Sequence, residues 1–223
     1  ELERALAVLG ELRATSRRDL DLAQPDQARK LIESWRPDVV VNAAAYTAVD
    51  RAETEEALAL AVNGEAPGVM AAACARRGAL FVHYSTDFVF DGLTTRAYVE
   101  TDGTHPLSAY GRTKLAGEHA IAAVGRDALV LRTAWVYANR CQNFVRTIER
   151  LARTREEIQV VDDQFGSPTW ARHIAIATAV IVARLAPADR RAAFFAGAPV
   201  RFFHLVSADS TSRFDFARAI VEE

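Results

Sequence analysis

The sequence predicts an α/β fold, a doubly wound parallel sheet with helices packed on it, and three observations carry the prediction. Short, nearly continuous apolar runs recur at Asp38–Asn42, Ala79–Tyr84 and Asp127–Thr133, the pattern of strands buried on both faces. Stretches with helical spacing of apolar residues stand between them, which is the alternation of a doubly wound domain. Two of these runs end in small or hydroxyl residues, Asn42-Ala43-Ala44-Ala45 and Ser85-Thr86-Asp87. Open α/β sheets bind ligands at that carboxyl edge.

In chain order, Leu2, Leu6 and Leu9 have helical spacing and Gly10 ends the pattern. Glu11–Ser16 has room for a short strand. Pro25 suits the first turn of a helix running through Ser34, with Ala28, Leu31, Ile32 and Trp35 as its apolar stripe and Pro37 as its breaker. After the Asp38–Asn42 strand, Thr54 to Arg77 reads as a long helix or a helix pair. Asn63 and Pro67 mark its break and Gly78 its end. The Ala79–Tyr84 strand leads into an irregular stretch from Asp91 to His105, then a helix from Pro106 to Val124. Asp127–Thr133 is the next strand. An amphipathic helix follows from Phe144 to Arg153, with a short strand at Ile158–Val161 and a polar loop from Asp162 to Thr169. Trp170–Leu185 is expected to be helical, Phe202–Val206 a strand and Phe214–Val221 a helix.

Composition narrows the function classes. Half of the 223 residues are hydrophobic and a quarter charged, the profile of a globular protein with a sizeable core. A net charge of −2 gives no global attraction to nucleic acid or acidic membranes. No apolar run approaches the roughly 20 residues of a membrane span. Cys74 and Cys141 lack metal-ligand spacing and read as packed thiols. His83, His105, His119, His173 and His204 are scattered, so no metal site is assigned. A cytoplasmic enzyme is the plain reading.

The chemistry concentrates in Tyr110-Gly111-Arg112-Thr113-Lys114. Residues four apart share a helix face, so the Tyr110 phenol and the Lys114 ammonium can reach one site. A phenol is a poor acid or base near neutrality, and a nearby ammonium favours its ionised form. The Thr86 hydroxyl, delivered by the preceding strand, can hold a substrate carbonyl there. Trp135, just past another strand end, is a candidate stacking platform, with core burial as its other reading.

A strand hydroxyl followed by Tyr-x-x-x-Lys resembles the active-site pattern of the extended short-chain dehydrogenase/reductase superfamily. Further motifs narrow the resemblance: Arg36-Pro37-Asp38-Val39-Val40-Val41-Asn42-Ala43-Ala44-Ala45-Tyr46-Thr47, Tyr84-Ser85-Thr86-Asp87-Phe88-Val89-Phe90, Arg132-Thr133-Ala134-Trp135-Val136-Tyr137 and Asp163-Gln164-Phe165-Gly166-Ser167-Pro168-Thr169. In this order, and over nearly the whole chain, they resemble the dTDP-4-dehydrorhamnose reductase family. The resemblance implies a Rossmann-like fold, with residues 1–137 as the dinucleotide-binding domain and 138–223 as a smaller, mainly substrate-binding region interleaved with the sheet. It implies NAD(P)H-dependent reduction of the C4 keto group of a dTDP-sugar. Tyr110, Lys114 and Thr86 would be catalytic. Asp21, Leu22, Ala45, Tyr46, Thr47 and Tyr84, with Tyr110 and Lys114, match cofactor-lining positions. Thr86, Asp87 and Trp135 match substrate-binding ones. The Ser16-Arg17-Arg18 turn leans the cofactor toward NADPH, with NADH accepted. A homodimer, and magnesium at its contact, are allowed by the resemblance.

One departure stands out. Such reductases open with a strand and a glycine-rich turn that binds the pyrophosphate, and Glu1 matches the position just after that turn. The expectation is a sheet lacking its first strand, in a chain that is a fragment. Other nucleotide-sugar epimerases and reductases, and a non-catalytic NADP-binding regulatory subunit of the methionine adenosyltransferase type, are the competing readings. Asp87 is followed by Phe88 rather than a second acidic residue, which disfavours a dehydratase.

Overall fold

The computed structural model describes residues 1–222 and divides into two compact units. The larger comprises residues 11–132 and 181–204. At its centre lie strands β1 (Val39–Asn42), β2 (Leu80–Thr86), β3 (Ala128–Thr133) and β4 (Val200–His204), adjacent in that order. β1 pairs in parallel with β2, Val39 opposite Leu80, and β3 with β4, Ala128 opposite Val200. This is the α/β, Rossmann-like class expected. Helices α1 (Pro25–Trp35), α2 (Ala66–Arg77) and α3 (Ala109–Val124) pack side by side against the sheet. Ile32, Met70, Cys74, Phe81, Ile121 and Val130 form the core they share.

Local chemistry sets the ends of these elements. Pro25 occupies the first turn of α1, where its missing N–H costs nothing. Gly78 and Gly125 close α2 and α3 in the left-handed conformation, at φ of 66° and 62°. α3 begins at Ala109, not Pro106, because the Ser108 hydroxyl accepts from the Gly111 N–H and fixes the helix start. The break expected near Asn63 is a π turn, Ala61–Glu65, joining Glu56–Leu60 to α2. By length and apolarity Glu56–Arg77 would suit a membrane span, although half of it is buried within the protein.

Several expectations need correction. Glu11–Ser16 is not a strand. No neighbouring strand takes up its backbone groups among the described residues, and its side chains are exposed. Ile158–Val161 is likewise irregular, with no neighbouring strand to pair with among the described residues. The first helix stops at Leu6 and leaves Leu9 exposed. β4 ends at His204, two residues before Val206. Two helices were missed, Val49–Ala52 and Ala188–Phe195, both too short to show a full apolar stripe. Cys74 is a packed thiol, pushed up to about 12 by burial, but Cys141 is exposed.

The smaller unit takes residues 1–10, 133–180 and the segment from Leu205 onward. Val136–Tyr137 pairs in parallel with Thr169–Trp170, and Phe165–Gly166 antiparallel with Thr211–Ser212. Helices Phe144–Ala152 and Arg213–Glu222 pack together through Phe144 and Phe216, whose rings stack at 5.5 Å. Glu1 anchors the start of the chain by ion pairs to Arg140 and Arg172.

Candidate active site

Two glycines let α3 sit close to the strand end it serves. A Cβ at Gly111 would overlap the Phe88 carbonyl oxygen, and one at Gly117 the Asn63 carbonyl oxygen. The first approach brings Tyr110 against the β2 edge, where its ring meets Phe88 edge-on at 5.5 Å. The second seats the helix on the π turn. Asn63 donates from Nδ2 to Thr113 Oγ1 (3.2 Å) and to the Tyr46 carbonyl (3.0 Å), and its Oδ1 accepts from the Tyr46 N–H (2.8 Å). One buried amide therefore joins the Ala45-Tyr46-Thr47 loop to the helix carrying Tyr110 and Lys114.

Thr86 ends β2 and caps the short turn after it. Its Oγ1 accepts from the Phe88 N–H (3.2 Å) and donates to Asp87 Oδ1 (3.0 Å). The structure brings Thr86 and Tyr110 together: burial pushes the phenol up to about 12, a hydrogen bond with Thr86 works against that, and the Asp87 charge adds to it. The neighbouring Ser85 Oγ is buried with no hydrogen-bond partner among the described residues.

Lys114 departs from expectation. It is almost fully buried, and its Nζ donates to the Tyr84 carbonyl (2.6 Å) and lies 3.1 Å from His83 Nε2. Its ammonium is no contributor to the Tyr110 shift. Burial pushes Lys114 down to about 8, opposed by the Glu118 charge. The sequence placed both residues on one helix face correctly but gave no sight of the acceptors that draw Lys114 inward. His83, its ring partner, is buried and was assigned no role from sequence. The available signal was a histidine within the apolar run of β2, on the face of Phe81 two residues before it, with which it stacks. Asn63 was read only as a helix break.

The remaining sequence-derived positions are dispersed. Asp21 Oδ1 accepts from the Ala23 N–H (3.1 Å), and Leu22 gives its side chain to the core, leaving its backbone for any ligand. Tyr46 donates its hydroxyl to Glu55 Oε2 (2.6 Å), Ala45 is half-buried and Thr47 is exposed. Trp135 belongs to the smaller unit and is half-buried, with a left-handed φ of 43°. Arg213 lies 3.5 Å above its ring centroid, and Gly166 approaches the indole so closely that an added Cβ would overlap it. Gly166→Ala should displace the indole, lowering stability by about 1–3 kcal/mol and changing tryptophan emission. Unchanged melting and emission would contradict this packing. Among the described residues no three His, Cys, Asp or Glu side chains gather to hold a metal ion.

The donor set at this edge suits a nicotinamide nucleotide. The Thr86 and Tyr110 hydroxyls meet at a parallel-sheet edge, where open α/β sheets bind ligands, with Ser85 Oγ buried and unpartnered beside them and Lys114 turned inward to the Tyr84 carbonyl. Fold and site together define the short-chain dehydrogenase/reductase class. The chain belongs to the family described as RmlD substrate binding domain, whose model matches residues 1–223. It is 53% identical to a dTDP-4-dehydrorhamnose reductase of Burkholderia thailandensis, over 99% of this chain and 73% of that protein. To the enzyme of the same name in Escherichia coli K12 it is 41% identical, covering 100% and 73%. A crystal structure of dTDP-4-dehydrorhamnose reductase from Bacillus anthracis in complex with NADP superposes with a TM-score of 0.87 at 31% identity, covering 99% of this chain and 75% of that one.

Proposed function

We propose that this chain reduces the C4 keto group of dTDP-4-dehydro-β-L-rhamnose, giving dTDP-β-L-rhamnose, with NADPH as reductant and NADH accepted. The observation that carries this reading is the meeting of Tyr110 with Thr86 at the sheet edge, close enough for Thr86 to bear on the phenol's ionisation, in a chain 53% identical to a reductase of that name. A bound nicotinamide supplies the hydride. Thr86 Oγ1 donates to the keto oxygen, turning from Asp87 to do so, and Tyr110 delivers its proton to that oxygen as alkoxide character develops. A phenol pushed up to about 12 is fully protonated at neutral pH, so Tyr110 stands in its acid form. Lys114 holds the nicotinamide ribose. Asp21, Leu22, Ala45, Tyr46, Thr47 and Tyr84 line the cofactor, and Asp87 and Trp135 contact the substrate. In this reading residues 1–137 chiefly bind the dinucleotide and 138–223 the sugar nucleotide, with β4 returned to the sheet.

The preference for NADPH rests on Arg17 and Arg18, exposed where a ribose 2′-phosphate would be met. Free thiols at Cys74 and Cys141 accord with a cytoplasmic setting. The regulatory-subunit reading is not favoured, since both relatives compared carry the reductase name.

The test is NADPH oxidation with dTDP-4-dehydro-L-rhamnose, using this chain and a version preceded by the family's strand and glycine turn. Turnover dependent on the dTDP-sugar is expected in the extended version. Cofactor bound there without turnover would overturn the catalytic reading in favour of a binding protein.

A further inference from the structure

A buried chain of polar groups runs beneath the site from β1 to α3, and its donors and acceptors can be counted. The Ala44 N–H donates to Asn42 Oδ1 (3.1 Å), so the amide must present its Nδ2 hydrogens to His83 Nδ1, 3.1 Å away. A neutral imidazole has one protonated and one bare nitrogen. His83 is fully buried, and that burial holds it well below 6.5, so it is neutral. With Nδ1 accepting, Nε2 carries the hydrogen, and Nε2 faces Lys114 Nζ at 3.1 Å. An ammonium there would set N–H against N–H, whereas an amine offers a lone pair to Nε2–H and still donates to the Tyr84 carbonyl. Turning the Asn42 amide over would rescue the ammonium only by setting NH₂ against the Ala44 N–H.

We propose that His83, its tautomer locked by Asn42, is a positioning residue that donates from Nε2–H to Lys114 Nζ and holds that side chain as a neutral amine, turned to the Tyr84 carbonyl, until a ligand draws it away. Only in treating that ligand as the cofactor does this rest on the proposed function. The titratable groups facing Lys114 are His83 on β2 and Glu118 on its own helix. Glu118 is engaged by Arg132 on β3, at 2.9 and 2.7 Å. The arrangement makes Lys114 gain a proton as it moves to a ribose, so cofactor affinity falls as pH rises above the ammonium range.

Nitrogen-15 NMR of the imidazoles and carbon NMR of the lysines test this on the whole chain without turnover. The chain has two lysines, Lys30 and Lys114, and Lys30 is an exposed helix residue, so Lys30→Arg assigns both signals. His83 is expected to show a bare Nδ1 and a protonated Nε2, and Lys114 to titrate at least roughly three units below the ordinary ~10.4, so that it is largely an amine under physiological conditions. A Lys114 that stays ammonium at neutral pH would overturn the proposal. Asn42→Asp supplies a carboxylate that accepts from both Ala44 N–H and His83 Nδ1–H. It should reverse the tautomer and raise the Lys114 midpoint by about one unit or more. A wild-type His83 protonated at Nδ1, or at both nitrogens, would overturn the proposal whether or not the variant folds. Those spectra stand apart from the reductase assay: loss of turnover with the expected tautomer would fault the proposed reaction alone.

Discussion

Tyr110→Phe is expected to lower turnover by about 10²–10⁴-fold, the usual contribution of a positioned acid, with cofactor affinity nearly unchanged. Only the hydroxyl is removed. The ring keeps its edge contact with Phe88 and its packing over Ala52, Ala59 and Ala109, so the α3 start and the Thr86 turn have no cause to move. Stopped-flow reduction and cofactor titration separate the two effects. A variant with wild-type turnover would remove Tyr110 from the proton path, and one with lost cofactor binding would make its role positional.

The largest stability effect is expected at Arg132. Its guanidinium meets Glu118 through two parallel hydrogen bonds, the pair is almost wholly buried, and the ring faces of Phe90 and Phe202 flank it at 5.1 and 5.5 Å. Arg132→Met strands the Glu118 carboxylate away from water, at a cost of about 3–5 kcal/mol, or roughly 6–20 °C in melting temperature for a chain of this size. Replacing both, Arg132→Met with Glu118→Leu, should recover most of the loss, because the desolvation of two charges disappears with them. Thermal unfolding of the single and double variants decides it. A double variant as unstable as the single would mean that the guanidinium's packing, not its charge, holds β3 to α3.

Much of this was legible from sequence where local rules act alone. Helical spacing placed Tyr110 and Lys114 on one face, Pro25 and Gly78 marked helix ends, and the apolar runs at β1, β2 and β3 declared a buried sheet. What stayed hidden depended on partners far along the chain. The Glu118–Arg132 pair, the seat of Gly117 on Asn63 and the inward turn of Lys114 toward His83 are contacts across 14 to 54 positions, and no local period encodes them. Glu11–Ser16 erred the other way. Its residues tolerate an extended backbone, but a strand exists only when a neighbour completes its hydrogen bonds.

Asn63 also bears on how a ligand is met. Its amide gives Tyr46 both of the main-chain bonds that a neighbouring strand would give. The loss of backbone freedom in that loop is thus incurred during folding. If the loop lines the cofactor as proposed, a nucleotide arriving there finds a wall already set and loses no affinity in ordering it. Recognition there resembles fitting into a mould, with tightness governed by how slowly the ligand leaves.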